Sequence, residues 1–251
     1  MYIVHKKGIS INGNTPTLLY GYGGYNVPVL PGFSPRVFAW LNEGGIYAQA
    51  NLRGGGEFGK DWHEAALLGK KQNVFDDFIA AGEWLIGHRY TNSKKLAISG
   101  RSNGGLLVGA CLVQRPDLWG AAIPQVGVLD MLRYPFQSDA GRYWTKEYGN
   151  AKENPEHFEF LIKYSPYHNI KTEAVYPPTL ITAAEGDDRV SPMHSKKFAA
   201  ALQYAQKSPE PILLSIETKA GHGFGKAVEK IIEESAIVLA FMHKILGTVV
   251  E

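Results

Sequence analysis

A single cysteine, Cys111, stands among the 251 residues, so no internal disulfide can form and a disulfide-stapled scaffold is excluded. It lies in the apolar run Leu106 to Val113, where a small buried hydrophobe is the expected role. No apolar run is long enough to span a membrane. The start, Met1-Tyr2-Ile3-Val4-His5-Lys6-Lys7, lacks the apolar stretch that follows the basic one in a secretory leader. A soluble, cytoplasmic protein is therefore expected. Neither sign of charge is in excess: 26 Lys and Arg against 24 Asp and Glu leave +2 at pH 7. That balance is too mild to argue for nucleic acid or a membrane surface as partner. The pairs Lys6-Lys7, Lys70-Lys71, Lys94-Lys95 and Lys196-Lys197 read as solvated faces. The eight histidines form no H-x-x-x-H pair and have no Cys pair to help them, so no metal site is expected.

What is present is ordinary globular composition, 45% apolar and 20% charged, in a chain large enough for one sizeable core. Short apolar runs at Thr17–Gly21, Gly45–Asn51, Lys95–Ser99, Ala121–Val126, Thr179–Ala184 and Ile212–Thr218 suit parallel strands covered on both faces. Helical stripes fall between them: Phe75, Phe78, Ile79, Trp84, Leu85 and Ile86; Leu106, Leu107, Ala110, Cys111 and Val113; Phe198, Leu202 and Ala205; and Ile231 to Ile245. Strand–helix alternation predicts an α/β fold, a mostly parallel central sheet flanked by helices, in one domain over residues 1–251. The stretch from Leu129 to Pro178 breaks the rhythm. It is rich in Tyr, Trp, Asn and Pro, with one good helical stretch at Glu156 to Lys163, and is expected to lie over the C-terminal edge of the sheet. Ligands bind at that edge in open α/β sheets.

Gly100-Arg101-Ser102-Asn103-Gly104 fits G-x-S-x-G, and its context fits too: a strand pattern ends just before it and a helix pattern opens just after. Such a turn lifts a serine hydroxyl above the sheet, and the N–H of Asn103 becomes a donor for an oxyanion. A serine hydroxyl needs a base within hydrogen-bond reach, and the base needs an orienting group. In the α/β-hydrolase arrangement the order along the chain is Ser, acid, His. The loop after the fifth of these runs carries Glu185-Gly186-Asp187-Asp188-Arg189-Val190, and the loop after the sixth carries Lys219-Ala220-Gly221-His222-Gly223. His222 is the expected base. Asp187, Asp188 and Glu185 remain equal candidates for the acid on these grounds, and each could instead cap the next helix.

These residues resemble the catalytic domain of the prolyl oligopeptidase family. The likeness runs from Val4 to Leu246, through Leu19-Tyr20-Gly21-Tyr22-Gly23-Gly24, Asn51-Leu52-Arg53-Gly54-Gly55-Gly56-Glu57, Ser102-Asn103-Gly104-Gly105-Leu106-Leu107, Gln114-Arg115-Pro116-Asp117-Leu118 and Asp187-Asp188-Arg189-Val190. The resemblance implies an α/β-hydrolase fold with a triad of Ser102, Asp187 and His222. It implies that Tyr22 donates its hydroxyl to the oxyanion beside the Asn103 amide, and that Arg189 holds a substrate carbonyl. Trp144 would stack on the pyrrolidine ring of proline, with Tyr148, Val128, Val190 and Asn103 lining the rest. Tyr25 stands where the family usually has Phe, so its hydroxyl either narrows the pocket or points to solvent. One extra residue falls between Val128 and Trp144.

The family's β-propeller has no counterpart in this sequence. An open site is expected, with ester cleavage competing with cleavage after proline. Self-association through surface that the propeller would cover is expected as well. The substrate expected is a small peptide or ester, with no metal or organic cofactor. Two other readings compete: a stand-alone carboxylesterase with the same triad, and a catalytically silent interaction module.

Overall fold

The computed structural model describes residues 1–218, 221–223 and 227–248. Lys219 and Ala220, part of the loop expected before His222, lie outside the described residues. Seven strands form one sheet: β1 (Tyr2–Val4), β2 (Thr17–Tyr20), β3 (Ile46–Gln49), β4 (Leu96–Arg101), β5 (Ala121–Gln125), β6 (Thr179–Ala184) and β7 (Ile212–Glu217). Their spatial order is β1-β3-β2-β4-β5-β6-β7. All neighbours run parallel except β1, which pairs antiparallel with β3 at the edge. The six expected strands are all present, each within two residues of the expected ends or shorter.

Strand side chains alternate between two cores, as a period of two requires. Leu18, Ala97, Ala121, Ile123 and Leu180 face one side, where they meet Trp40 of α1 (Pro35–Asn42) and Val238, Phe241, Met242 and Leu246 of α9 (Val228–Leu246). Leu19, Ala48, Ile98, Ala122 and Ile181 face the other. That side is covered by α3 (Gln72–Gly87), α4 (Asn103–Gln114) and α8 (Met193–Ala205), through Phe75, Phe78, Leu106, Cys111, Phe198 and Leu202. Cys111 is buried and free, and burial pushes its thiol pKa well up, as suits a packing residue.

The segment between β5 and β6 is more helical than its composition suggests. It holds α5 (Tyr134–Gln137), a 3-10 turn at Ala140–Trp144, α6 (Thr145–Tyr148), α7 (Pro155–Tyr164) and a second 3-10 turn at Pro166–Asn169. These turns are too short to show a helical period, so only α7 is legible from apolar spacing. Asn154 caps α7 by accepting from the Glu156 N–H at 2.9 Å. The segment is anchored to α8 by Asp130, whose fully buried carboxylate pairs with Lys197 and, at 3.3 Å, with Arg133. His194 of α8, also buried, accepts from the Asp130 N–H at 3.1 Å.

The reading of Lys70-Lys71 as a solvated pair is corrected here. Lys71 is only 1% exposed and is paired inside the protein. It sits three, four and seven residues before Val74, Phe75 and Phe78, on the buried stripe of α3, so helical spacing carries it inward. Among the described residues no helix is long and apolar enough to cross a membrane.

Candidate active site

The sheet's central strand β4 ends at Arg101, and the chain turns at once into α4. The turn forces Ser102 into φ 58°, ψ −115°, a region uncommon for any residue with a side chain. The glycines around it are there for lack of room. A Cβ on Gly100 would lie 2.3 Å from the Gly104 carbonyl oxygen, and one on Gly104 would lie 2.7 Å from that of Gly21. The turn is fixed by the Ser102 N–H, which donates to the Gln125 carbonyl at 2.9 Å. Ser102 occupies the N-cap position of α4, yet its hydroxyl does not cap the helix.

That hydroxyl instead meets His222. Ser102 Oγ and His222 Nε2 are 3.1 Å apart, and His222 Nδ1 is 2.7 Å from Asp187 Oδ2. A carboxylate only accepts, so Nδ1 carries the proton donated to Asp187 and leaves Nε2 free to accept from the serine. The side chain of Asp187 is fully buried and that of His222 is 10% exposed. The other oxygen of Asp187, Oδ1, accepts from the N–H groups of Arg189 at 3.0 Å and Val190 at 2.8 Å. Asp188 and Glu185 are exposed. The three residues that the sequence offered as acid are thus separated by placement: one lies inward against the histidine, two face out.

Tyr22, on the loop after β2, lines the same opening as Ser102. Burial pushes its phenol pKa up to about 12, the Arg189 charge opposing, so the hydroxyl remains a donor across the neutral range. Among the described residues nothing accepts from the Asn103 N–H, which opens α4 and has no intrahelical partner by position. The Asn103 side chain is committed elsewhere, donating to the Tyr22 carbonyl at 2.6 Å and accepting from the Tyr148 hydroxyl at 2.7 Å.

Two hollows flank Ser102. The smaller contains ≈ 240 Å³ of space not filled by atoms, part of it open to solvent, and is lined by Tyr22, Tyr25, Ser102, Val128, Trp144, Tyr148 and Arg189. Trp144 stacks at 16° on Tyr134, with centroids 6.1 Å apart, and Tyr25 meets Tyr148 edge-on at 5.6 Å. The wider hollow, on the histidine side, is lined by Tyr20, Tyr22, Arg101, Ser102, Arg189, His222, Gly223, Ile231 and Glu234. Arg189 and Tyr22 border both.

A model of the prolyl oligopeptidase family matches residues 31–249. The chain belongs to this family. It is 51% identical over 241 residues to a prolyl endopeptidase of Elizabethkingia meningoseptica, an alignment covering 96% of this chain and 34% of that protein. It is 46% identical over 250 residues to prolyl oligopeptidase A of Amanita bisporigera, covering 98% of this chain and 33% of the other. Among solved structures, one from a mechanistic study of two prolyl endopeptidases superposes with a TM-score of 0.95 at 52% identity, over 98% of this chain and 36% of that one. Prolyl oligopeptidase B from Galerina marginata, bound to a 35-residue hydrolysis and macrocyclisation substrate, superposes at 0.94 with 41% identity, over 99% and 35%. The chain spans about a third of the length of the curated relatives it matches.

Within this prolyl oligopeptidase family chain, most residues singled out by sequence converge on Ser102. Val190 stands apart: it is 3% exposed, packed in the core behind the acid, and does not line the small hollow. Its contribution is the N–H given to Asp187. The Tyr25 hydroxyl turns inward: burial pushes its pKa far up, and the Tyr148 hydroxyl beside it opposes that. Arg189 forms no ion pair with Asp187, Asp188 or Glu185 among the described residues, leaving its guanidinium at the opening. Sequence reasoning missed Arg101, which donates to the His222 carbonyl at 2.8 Å and pairs with Glu234 at 2.7 Å. It also missed Glu147, buried against Lys71 and His63.

Proposed function

We propose that the chain is a serine peptidase of the prolyl oligopeptidase type, cleaving the bond after proline through an acyl-enzyme on Ser102. The observation that carries this reading is the continuous chain of contacts Ser102–His222–Asp187, at 3.1 and 2.7 Å, beside an aromatic hollow. Ser102 Oγ attacks the carbonyl carbon as His222 Nε2 takes its proton, and Asp187 stabilises the imidazolium. The oxyanion is held by the Asn103 N–H and the Tyr22 hydroxyl. His222 then protonates the leaving amine as the C–N bond breaks, and water, activated by the same imidazole, releases the acid.

The flat ring of proline suits the slot between Trp144, Tyr148 and Tyr25. The wider hollow by His222 suits the leaving segment. Arg189, which borders both, would hold a carbonyl of the peptide. No step needs a metal or an organic cofactor.

The test is a paired assay with Ser102→Ala as control. kcat/KM is compared for a blocked Gly-Pro anilide, its Ala analogue and a short-chain p-nitrophenyl ester. Selective cleavage of the proline anilide supports the reading. Turnover of the ester alone makes the chain an esterase with the same triad. Lack of reaction with a fluorophosphonate probe points to a silent interaction module.

Self-association is proposed on a separate ground. Phe33 and Phe38, 84% and 60% exposed, border a hollow with Tyr2 and Val4 of β1, and apolar patches of this kind usually find a partner. Light scattering at micromolar concentration should show a species larger than 27.6 kDa; a strict monomer refutes the idea.

A further inference from the structure

A buried carboxylate ties the two aromatic walls of the small hollow together. Glu147 Oε1 accepts from the Tyr25 N–H at 3.1 Å and from Lys71 Nζ at 2.9 Å, and Oε2 lies 2.9 Å from His63 Nε2. The side chains of Lys71 and Glu147 are 1% and 5% exposed. Lys71 Nζ also donates to the Gly23 carbonyl at 3.2 Å and sits 5.2 Å over the Tyr148 ring. Burial pushes the Glu147 pKa up, but Lys71, His63 and the Tyr25 N–H together outweigh it and hold the carboxyl below its ordinary range. A buried ion pair of this kind contributes little net stability, because desolvation offsets the attraction. Its placement matters more. Tyr25 has φ 57°, a conformation that a residue with a side chain keeps only where its surroundings hold it. The Tyr25 ring forms one wall of the hollow, edge-on to Tyr148, which directly follows Glu147 on α6.

We propose that Glu147, with Lys71 as its buried counter-ion, is a positioning residue: it is the acceptor that holds the Tyr25 main chain, and with it the aromatic wall that grips the proline ring beside Ser102. The inference rests on the reading of this hollow as a proline pocket. It assigns Glu147 no contact with substrate. The grip depends on an acceptor for the Tyr25 N–H, while the charge of Glu147 serves to satisfy Lys71.

The test uses the full chain and two uncleaved ligands, N-benzoylpyrrolidine and N,N-dimethylbenzamide, which differ in the closed ring. Binding is followed by tryptophan fluorescence and calorimetry. Two double variants are compared. Lys71→Met with Glu147→Gln removes both charges and keeps an acceptor for Tyr25. Lys71→Met with Glu147→Leu removes both charges and the acceptor. Replacing a buried ion pair by residues of similar volume is often neutral for folding; if the leucine variant does not fold, Glu147→Met in the same background replaces it. Wild type should prefer the pyrrolidine. The glutamine variant should keep that preference within about threefold, and the leucine variant should lose about tenfold of pyrrolidine affinity, the scale of one hydrogen bond. Equal affinity in wild type and the leucine variant overturns the proposal. So does equal loss in both variants, which would mark a purely structural ion pair, or a wild type with no preference. Fluorophosphonate labelling of Ser102, run in parallel, decides the hydrolase reading separately, since neither ligand has to be cleaved.

Discussion

The Arg101 guanidinium donates to the carbonyl oxygen of His222 at 2.8 Å, so the residue before the serine holds the histidine that meets the serine hydroxyl. Its other arm pairs with Glu234 of α9 at 2.7 Å. His222 is thereby fixed to the same turn that presents Ser102. A hydrogen bond to a charged group contributes about 1.5–3 kcal/mol. Arg101→Ala should lower kcat by about tenfold or more with a smaller change in KM, and slow fluorophosphonate labelling of Ser102 in parallel. Labelling at the wild-type rate would remove Arg101 from any part in placing the base.

On the proposed mechanism, Tyr22→Phe removes one of two donors to the oxyanion and leaves the ring in place. Loss of one such donor costs about 100- to 1000-fold in kcat. The expected outcome is a fall of about that size for the anilide, with KM little changed. A fall of less than about threefold would leave the Asn103 N–H as the sole donor.

Gly100→Ala sets a methyl group 2.3 Å from the Gly104 carbonyl oxygen and 2.8 Å from that of Gly21. Backbone must move on both sides. Overpacking of this kind costs about 1–3 kcal/mol, which for a domain of this size lowers Tm by roughly 2–12 °C. Thermal unfolding measures it, and Ser102 labelling should fall with it because the same backbone shapes the turn.

Burial pushes the His194 pKa down to about 4, with Asp130 and Asp187 opposing and Lys197 assisting. In the unfolded chain a histidine titrates near 6.5. The native state therefore stays neutral at this site where the unfolded chain takes up a proton. The stability linked to His194 is complete above about pH 6.5 and is lost as pH falls towards about 4, by up to about 3 kcal/mol. The carboxyl of Asp130 acts lower. Burial raises its pKa, but Lys197, His168 and Arg133 outweigh this and hold it below 3.8, so its contribution is lost only as pH falls through that lower value. In His194→Asn, whose side-chain oxygen can accept from the Asp130 N–H, unfolding free energy should vary less with pH over the upper window. Denaturant titrations at about pH 4.5 and about pH 7.5 check this.

The sheet, the serine turn and the histidine that meets it were legible because their signals are local. Leu18 and Leu19 face opposite cores, and the near-continuous apolar runs this produces mark strands covered on both faces. Ser102 and His222 each sit between glycines just after a strand. The acid was not legible from its neighbours, because Asp187 and Asp188 differ only in which way the loop turns them. β1 was missed because three residues with Tyr2 and Val4 exposed carry no pattern. Glu147 was missed for a different reason: its partners Lys71 and His63 stand 76 and 84 positions away, and an ion pair across such a distance leaves no trace in spacing. For Lys71 a trace did exist, in its register with Val74, Phe75 and Phe78, but the doubled lysine masked it.

Two main-chain N–H groups already claim Oδ1 of Asp187. An asparagine at 187 would therefore have one orientation open to it, with its oxygen toward those amides and its NH₂ toward the imidazole. Nδ1 would then be obliged to accept, the ring proton would move to Nε2, and the histidine would face Ser102 with a donor where an acceptor is needed. The loop's backbone, as much as the carboxylate, thus sets the direction in which a proton can travel at this site.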